Sequence, residues 1–140
     1  MIAASVLCLA AALYHEARSE PPIGQYAIAH VILNRTKDDS FPDNVCDVVY
    51  WSLTDSYGNI VENQCSFSFY CNGEPEEIDD PAAYARAVAI SVEVLMGDTP
   101  DITEGALWYA SIDSGVTWSY YRTITVYNHR FFTRRIERAE

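Results

Sequence analysis

Two consecutive prolines, Pro21 and Pro22, close off an apolar run that begins at Ile2 and reaches Tyr14. A proline cannot be accommodated inside a helix, and it steers the residue before it out of helical angles. The run is therefore expected to form a helix that ends before the proline pair. In the gap stand His15, Glu16, Ala17, Arg18, Ser19 and Glu20. The apolar run is too short to span a bilayer comfortably. No Lys or Arg precedes it, as one would in a signal peptide, so it is read as a core helix and not as a leader or a stable membrane insertion. Glu16 follows Ala12 and Leu13 at helical spacing and lies near the negative end of the helix dipole. Greasy neighbours and the dipole both disfavour an ionised carboxylate, which is what a general acid working near neutrality needs. Arg18 acts in the opposite sense. On local features alone, a glutamate at a helix end is an ordinary solvated residue.

Downstream, the prolines suit the first turn of a second helix over about 22–35, with Ser19 or Glu20 as its cap. Ile23, Ala27, Val31 and Asn34 share one face, extended by Tyr26, His30 and Leu33, so this helix is expected to be mostly buried. Lys37 to Ser40 read as a polar turn, and a short helix from Phe41-Pro42-Asp43 to Val49 or Tyr50 is expected with Asp43 as cap. Between Asp55 and Phe69 the pattern loosens. Tyr57-Gly58-Asn59 is turn-like and Ser66 to Phe69 alternate with period two, which suggests a small hairpin. An acidic, solvated loop leads to Asp80, the expected cap of a helix with Pro81 first, Gly97 past its end and Tyr84, Val88, Val92 and Leu95 as its buried stripe. The segments 106–110 and 123–132 are β-branched and aromatic enough for two short strands, with Trp118 in the loop between them. One α+β domain, mainly α with a small β region, is expected over residues 1–140.

Four blocks carry a resemblance. HEARSEPPIGQYAIAHVILNRTKDDSFPDNVCDVVY, QCSFSFYCNG, EGALWYA and NHRFF occur in this order. Together they resemble the SleB-type cell-wall hydrolases, the family of spore-cortex-lytic enzymes. The resemblance implies a lysozyme-like, lytic-transglycosylase-like fold and cleavage of the peptidoglycan glycan strand. It implies that Glu16, at the first glutamate of the family's Glu-Ala-Arg-Gly-Glu motif, is the catalytic acid. Ser19 stands where the family has glycine. The resemblance further implies that Gln64, Ser66, Ser68, Tyr109 and His129 line the sugar cleft; Phe67 belongs to the same matching block but is itself read as a core residue. Many relatives carry glutamine at the position of Ser66.

Glycan cleavage needs an acid and then either a second carboxylate or a nucleophile from the sugar itself. On a continuing helix Glu20 would neighbour Glu16, but Pro21 breaks that geometry, so Glu20 is expected to cap the second helix. A single acid suffices for a lytic transglycosylase, with a two-carboxylate muramidase or a non-catalytic wall-binding domain as the alternatives. His15-Glu16 begins like a zinc protease motif, but Ser19 occupies the position of the second histidine and no CxxC occurs. Neither metal nor another cofactor is expected.

A net charge of −11 leaves no basic surface for nucleic acid. It also repels an anionic wall unless salt screens it. Of nine Lys and Arg, four (Arg130, Arg134, Arg135 and Arg138) fall in the last eleven residues, as a solvated face or as a patch that meets the wall. Cys8, Cys46, Cys65 and Cys71 allow three disulfide pairings that the sequence does not rank. The compact chain reads as a monomeric phage endolysin, made in the host cytoplasm and acting on the bacterial wall in the periplasm after release.

Overall fold

The structure, a computed structural model, describes residues 2–54, 60–65, 78–118 and 121–134, with 52–54 and 60–65 as backbone. Helix α1 covers Ile2–Ala17. Its second half carries the burial, with Leu9, Ala10, Ala12, Leu13, Tyr14 and Ala17 inside, whereas Leu7 is 58% exposed. Helix α2, Pro22–Thr36, is buried nearly all round and forms the centre of the fold, though Ile23 faces outward.

The corner between α1 and α2 departs from expectation. Neither Ser19 nor Glu20 caps α2; Pro21 occupies the cap position in an extended conformation and makes no side-chain cap bond. Backbone bonds close the corner instead, from Glu20 N to the Ala17 carbonyl at 2.9 Å and from Gly24 N to that of Pro21 at 2.9 Å. Gln25 Nε2 adds a bond to the Glu20 carbonyl at 3.0 Å. The Glu20 side chain is drawn away by partners on the sheet.

Helix α3, Val45–Val49, is capped by Asn44 and not by Asp43. Asn44 accepts from Asp47 N at 2.9 Å and donates to the Asp47 carboxylate at 2.7 Å, a reciprocal bond that is out of register for Asp43. A disulfide joins Cys8 of α1 to Cys46 of α3, with Cα atoms 5.2 Å apart. The side chains of Cys65 and Cys71 lie outside the described residues.

Strands β1, Ser52–Thr54, and β2, Ile60–Cys65, form a small antiparallel hairpin whose strands lie earlier in the chain than the Ser66–Phe69 segment expected to be extended. Its second strand precedes the alternating Ser66 to Phe69, which lies outside the described residues together with Tyr57-Gly58-Asn59.

Helix α4, Pro81–Leu95, starts where expected: the Asp80 carboxylate accepts from Ala83 N at 3.1 Å, Pro81 is its first residue, and Gly97 follows its end at φ +78°. The buried stripe is rotated from the expected one. Ala83, Ala87, Ile90, Ser91 and Val94 are inside, while Val92 is exposed and Tyr84, Val88 and Leu95 flank the core. Small residues let α4 lie close to α1, its main packing partner, so alanines take the contact line and the larger side chains cover its edges.

The expected pair of strands is a three-stranded antiparallel sheet in the order β3-β5-β4. Strand β3 is Trp108–Ser111, β4 is Tyr121–Val126 and β5 is His129–Arg134, with a 3-10 turn at Ile112–Ser114. The segment 123–132 divides because Tyr127, at φ 52°, turns the chain back. The pleat then sorts side chains. Tyr109, Ile124, Val126, His129 and Phe131 share the face that packs toward the helices, and Trp108, Tyr121, Thr123, Arg130 and Phe132 share the outer face.

Candidate active site

Glu16 reaches the surface from the last turn of α1 and is half-buried. Arg18 does not stay beside it. The Arg18 guanidinium lies over the Tyr14 ring at 4.6 Å and donates to Asp79 Oδ1 at 2.9 Å. Tyr14 Oη donates to the same oxygen at 2.6 Å and accepts from the backbone N–H groups of Asp79 and Asp80. The end of α1 is thereby tied to the start of α4, and Asp79 is structural rather than merely solvated. The bond from Tyr14 and the arginine beside it hold the Asp79 carboxyl below its ordinary range.

The loop that leads into β3 is set by the last turn of α2. Asn34 Nδ2 donates to the Ala106 carbonyl at 3.1 Å and to Asp101 Oδ2 at 2.8 Å, and Arg35 Nε donates to the Leu107 carbonyl at 2.7 Å. Asp101 in turn accepts from the Thr103 hydroxyl at 2.6 Å and from Thr103 N and Gly105 N, both at 2.9 Å. Burial works against its charge, but these donors win and hold its carboxyl below the ordinary value. The loop 101–107 is therefore clamped, and it delivers β3 with Tyr109 on the inner face.

Tyr109 stands within electrostatic reach of Glu16. Burial pushes its phenol well above the usual range, the charge of Glu16 adds to the rise, and Arg35 offsets part of it. The shift favours the neutral, proton-donating form of the hydroxyl. The Tyr109 ring meets the His129 ring edge-on at 5.5 Å and that of Phe131 at 5.8 Å.

Glu20 completes the group in a role that the sequence did not suggest. Its Oε1 is 2.7 Å from His129 Nδ1, its Oε2 accepts from Asn128 Nδ2 at 3.1 Å, and its side chain is only 8% exposed. Gly24 makes room for it: a Cβ there would stand 3.3 Å from the Glu20 Cβ. Asn128, in the turn between β4 and β5, escaped the sequence reading, and its only signal was its place in the NHRFF block. The structure thus gathers Glu16, Glu20, Tyr109 and His129 from α1, the α1–α2 corner, β3 and β5. The side chain of Gln64, with Ser66, Phe67 and Ser68, lies outside the described residues. Among the described residues, no group of three or more His, Cys, Asp or Glu side chains is placed to hold a metal ion, and no helix is long and apolar enough to cross a membrane.

The model of the cell wall hydrolase family matches residues 19–132. The chain belongs to the cell wall hydrolase family. The match starts just after Glu16 and includes Glu20, Tyr109 and His129. Among curated members, the spore cortex-lytic enzyme of Halalkalibacterium halodurans is 37% identical over 114 residues, covering 79% of this chain and 29% of that enzyme. The spore cortex-lytic enzyme of Bacillus subtilis is 55% identical over 45 residues, 32% of this chain and 15% of that enzyme. The chain therefore spans under a third of the length of these relatives. The fold matches the catalytic domain of the Bacillus cereus SleB protein with a TM-score of 0.61 and 25% identity, over 93% of this chain and 89% of that one. It also matches the catalytic domain of the germination-specific lytic transglycosylase SleB of Bacillus anthracis, with a TM-score of 0.59 and 28% identity over 93% of each chain. The mainly helical fold with a small open sheet is the one these domains share.

Proposed function

We propose that this cell wall hydrolase cleaves the peptidoglycan glycan strand between N-acetylmuramic acid and N-acetylglucosamine as a lytic transglycosylase, with Glu16 as acid and then base. The observation that carries this reading is the commitment of Glu20. The carboxylate nearest Glu16 in sequence is bound at both oxygens, by His129 and Asn128, and shielded from solvent. It is poorly disposed to activate water or to attack the sugar, as a two-carboxylate hydrolase requires. The name of the Bacillus anthracis domain points the same way.

In this scheme the Glu16 carboxyl gives its proton to the bridging oxygen as the bond to C1 of muramic acid breaks. The carboxylate so formed takes the proton of the muramic acid C6 hydroxyl as that oxygen bonds to C1. Glu16 ends protonated, as it began, and no water is consumed. Tyr109 serves as a neutral donor to the sugar, His129 as a cleft wall, and Gln64, Ser66 and Ser68 as further sugar contacts.

Digestion of purified peptidoglycan in water enriched in heavy oxygen tests the scheme. Muropeptides ending in unlabelled 1,6-anhydro-N-acetylmuramic acid are expected. Labelled reducing-end muramic acid would replace the scheme with a hydrolase, drawing a second acid from Glu20, Glu62 or Asp55. Peptides freed from the lactyl group would mean an amidase and would remove Glu16 from the chemistry.

The setting is a separate proposal, an endolysin that reaches the wall from a host cytoplasm after release. It is carried by the sequence reading alone, since the curated relatives are named for the spore cortex. Expression in a bacterial cytoplasm with and without a holin checks it, lysis being expected only with the holin.

A further inference from the structure

Glu20 is held from every side. Its backbone N–H donates to the Ala17 carbonyl at 2.9 Å, and its own carbonyl accepts from Gln25 Nε2 at 3.0 Å. Both carboxylate oxygens are engaged by the turn that joins β4 to β5, one by Asn128 and one by His129. Gly24, one helical turn further along, leaves the space in which the Glu20 side chain lies. The turn is anchored in its own right, because the Asn128 carbonyl accepts from Ile112 N at 2.8 Å. A corner could be closed with far less, so the fixed carboxylate is best read through the group it fixes.

That group is the His129 imidazole. A carboxylate only accepts hydrogen bonds. Oε2 takes the Asn128 N–H at 3.1 Å, and Oε1, 2.7 Å from His129 Nδ1, takes a proton carried by the ring. A neutral imidazole with its proton on Nδ1 has a bare Nε2. Among the described residues, Nε2 has no hydrogen-bond partner and no buried side-chain nitrogen or oxygen is left without one. The His129 side chain is 16% exposed, so Nε2 is open to solvent. The ring stands edge-on to that of Tyr109 at 5.5 Å, and Tyr109 is within electrostatic reach of Glu16. A fixed acceptor therefore stands beside the Tyr109 donor.

We propose that Glu20 is a positioning residue that sets the tautomer of His129, so that Nε2 accepts a hydrogen bond from the acetamido N–H of an N-acetylated sugar. The two groups are complementary, since an amide N–H can only donate and a bare ring nitrogen can only accept. Glu20 acts on the sugar through His129 and does not touch it. The inference rests on the sugar cleft of the proposed function, but not on which bond is cut or on Glu16 as the acid.

Imidazole nitrogen spectra of the 15N-labelled Glu16→Gln protein, in which binding is read without turnover, test this at about pH 8, above the ordinary imidazole range. In the free protein the His129 signals should show a protonated Nδ1 and a bare Nε2. Tetra-N-acetylchitotetraose should move the Nε2 signal and leave that of Nδ1 in place. Cellotetraose, with hydroxyls where the first probe has acetamido groups, should move neither. Adding Glu20→Gln, whose amide can both donate to and accept from Nδ1, should mix the tautomers and weaken the chitotetraose at least threefold. Asn128→Ala, which frees one carboxylate oxygen and keeps the backbone bonds of the turn, should act in the same direction. A proton on Nε2 in the free protein, equal responses to the two sugars, or tautomer and affinity unchanged in both variants would overturn the inference. So would an unmoved Nε2 while the amides of Tyr109 and Phe131 respond to chitotetraose, an outcome that leaves the cleft standing. No response at Tyr109, Phe131 or His129 would overturn the cleft and the inference together.

Discussion

At the scale of single residues, the two glutamates flanking Arg18 divide into Glu16, half-buried at the end of α1, and Glu20, bound to His129 and Asn128. Glu16→Gln removes a proton donor and keeps the shape, so lysis in a turbidity assay on permeabilised bacteria should fall by about 100-fold or more. The melting temperature should stay within a few degrees of wild type. Glu20→Gln should behave in the reverse way. It weakens the contacts to His129 and Asn128 at a buried position, which is expected to destabilise by about 1–3 kcal/mol while substantial activity remains. A Glu20→Gln protein that melts normally and is inactive would restore the two-carboxylate hydrolase. The contact between Glu20 and His129 was not legible in the sequence, because it spans most of the chain and no local pattern joins an α1–α2 corner to a distant hairpin. Tyr109 and His129 entered the site only through the resemblance, and nothing local marked them.

Among the elements, legibility followed the range of the determining interaction. The ends of α1, α2 and α4 depend on Pro21, Pro22, Asp80, Pro81 and Gly97, each acting on its own few neighbours, and these ends were readable. The buried face of α4 depends on what it meets. Reading the larger side chains as the stripe failed because Ala83 and Ala87 give the closer approach to α1. The break between β4 and β5 was missed because Tyr127 takes a positive φ where no glycine announces it. The Cys8–Cys46 bond, one of three open pairings, links elements 38 residues apart. A loop of that length restrains the unfolded chain by about 3–4 kcal/mol in the chain-entropy account. A Cys8→Ala, Cys46→Ala double variant should therefore unfold at lower denaturant concentration in urea titrations, with activity at low temperature retained. An unchanged midpoint would show that the bond fastens a part of α1 that frays independently of the core.

For the molecule as a whole, charge governs the meeting with substrate. A chain of net charge −11 approaching an anionic wall is repelled over about 30 Å at 10 mM salt and over about 8 Å at physiological ionic strength. The initial rate of lysis should rise several-fold across that interval, measured by turbidity on one batch of walls. A rate that falls instead would place control of encounter with a basic surface such as that around Arg130. The three-stranded sheet is a single layer that presents side chains of the same strand to two different faces. His129 and Phe131 look inward, and Arg130 and Phe132 look outward. Successive residues of β5 therefore belong to alternate surfaces, and the strand has a reading frame of two. A one-residue insertion or deletion within it would send the groups beyond that point to the wrong side. Lineages of this domain should accordingly lengthen or shorten β5 by pairs of residues or not at all, while its surface positions drift freely by substitution.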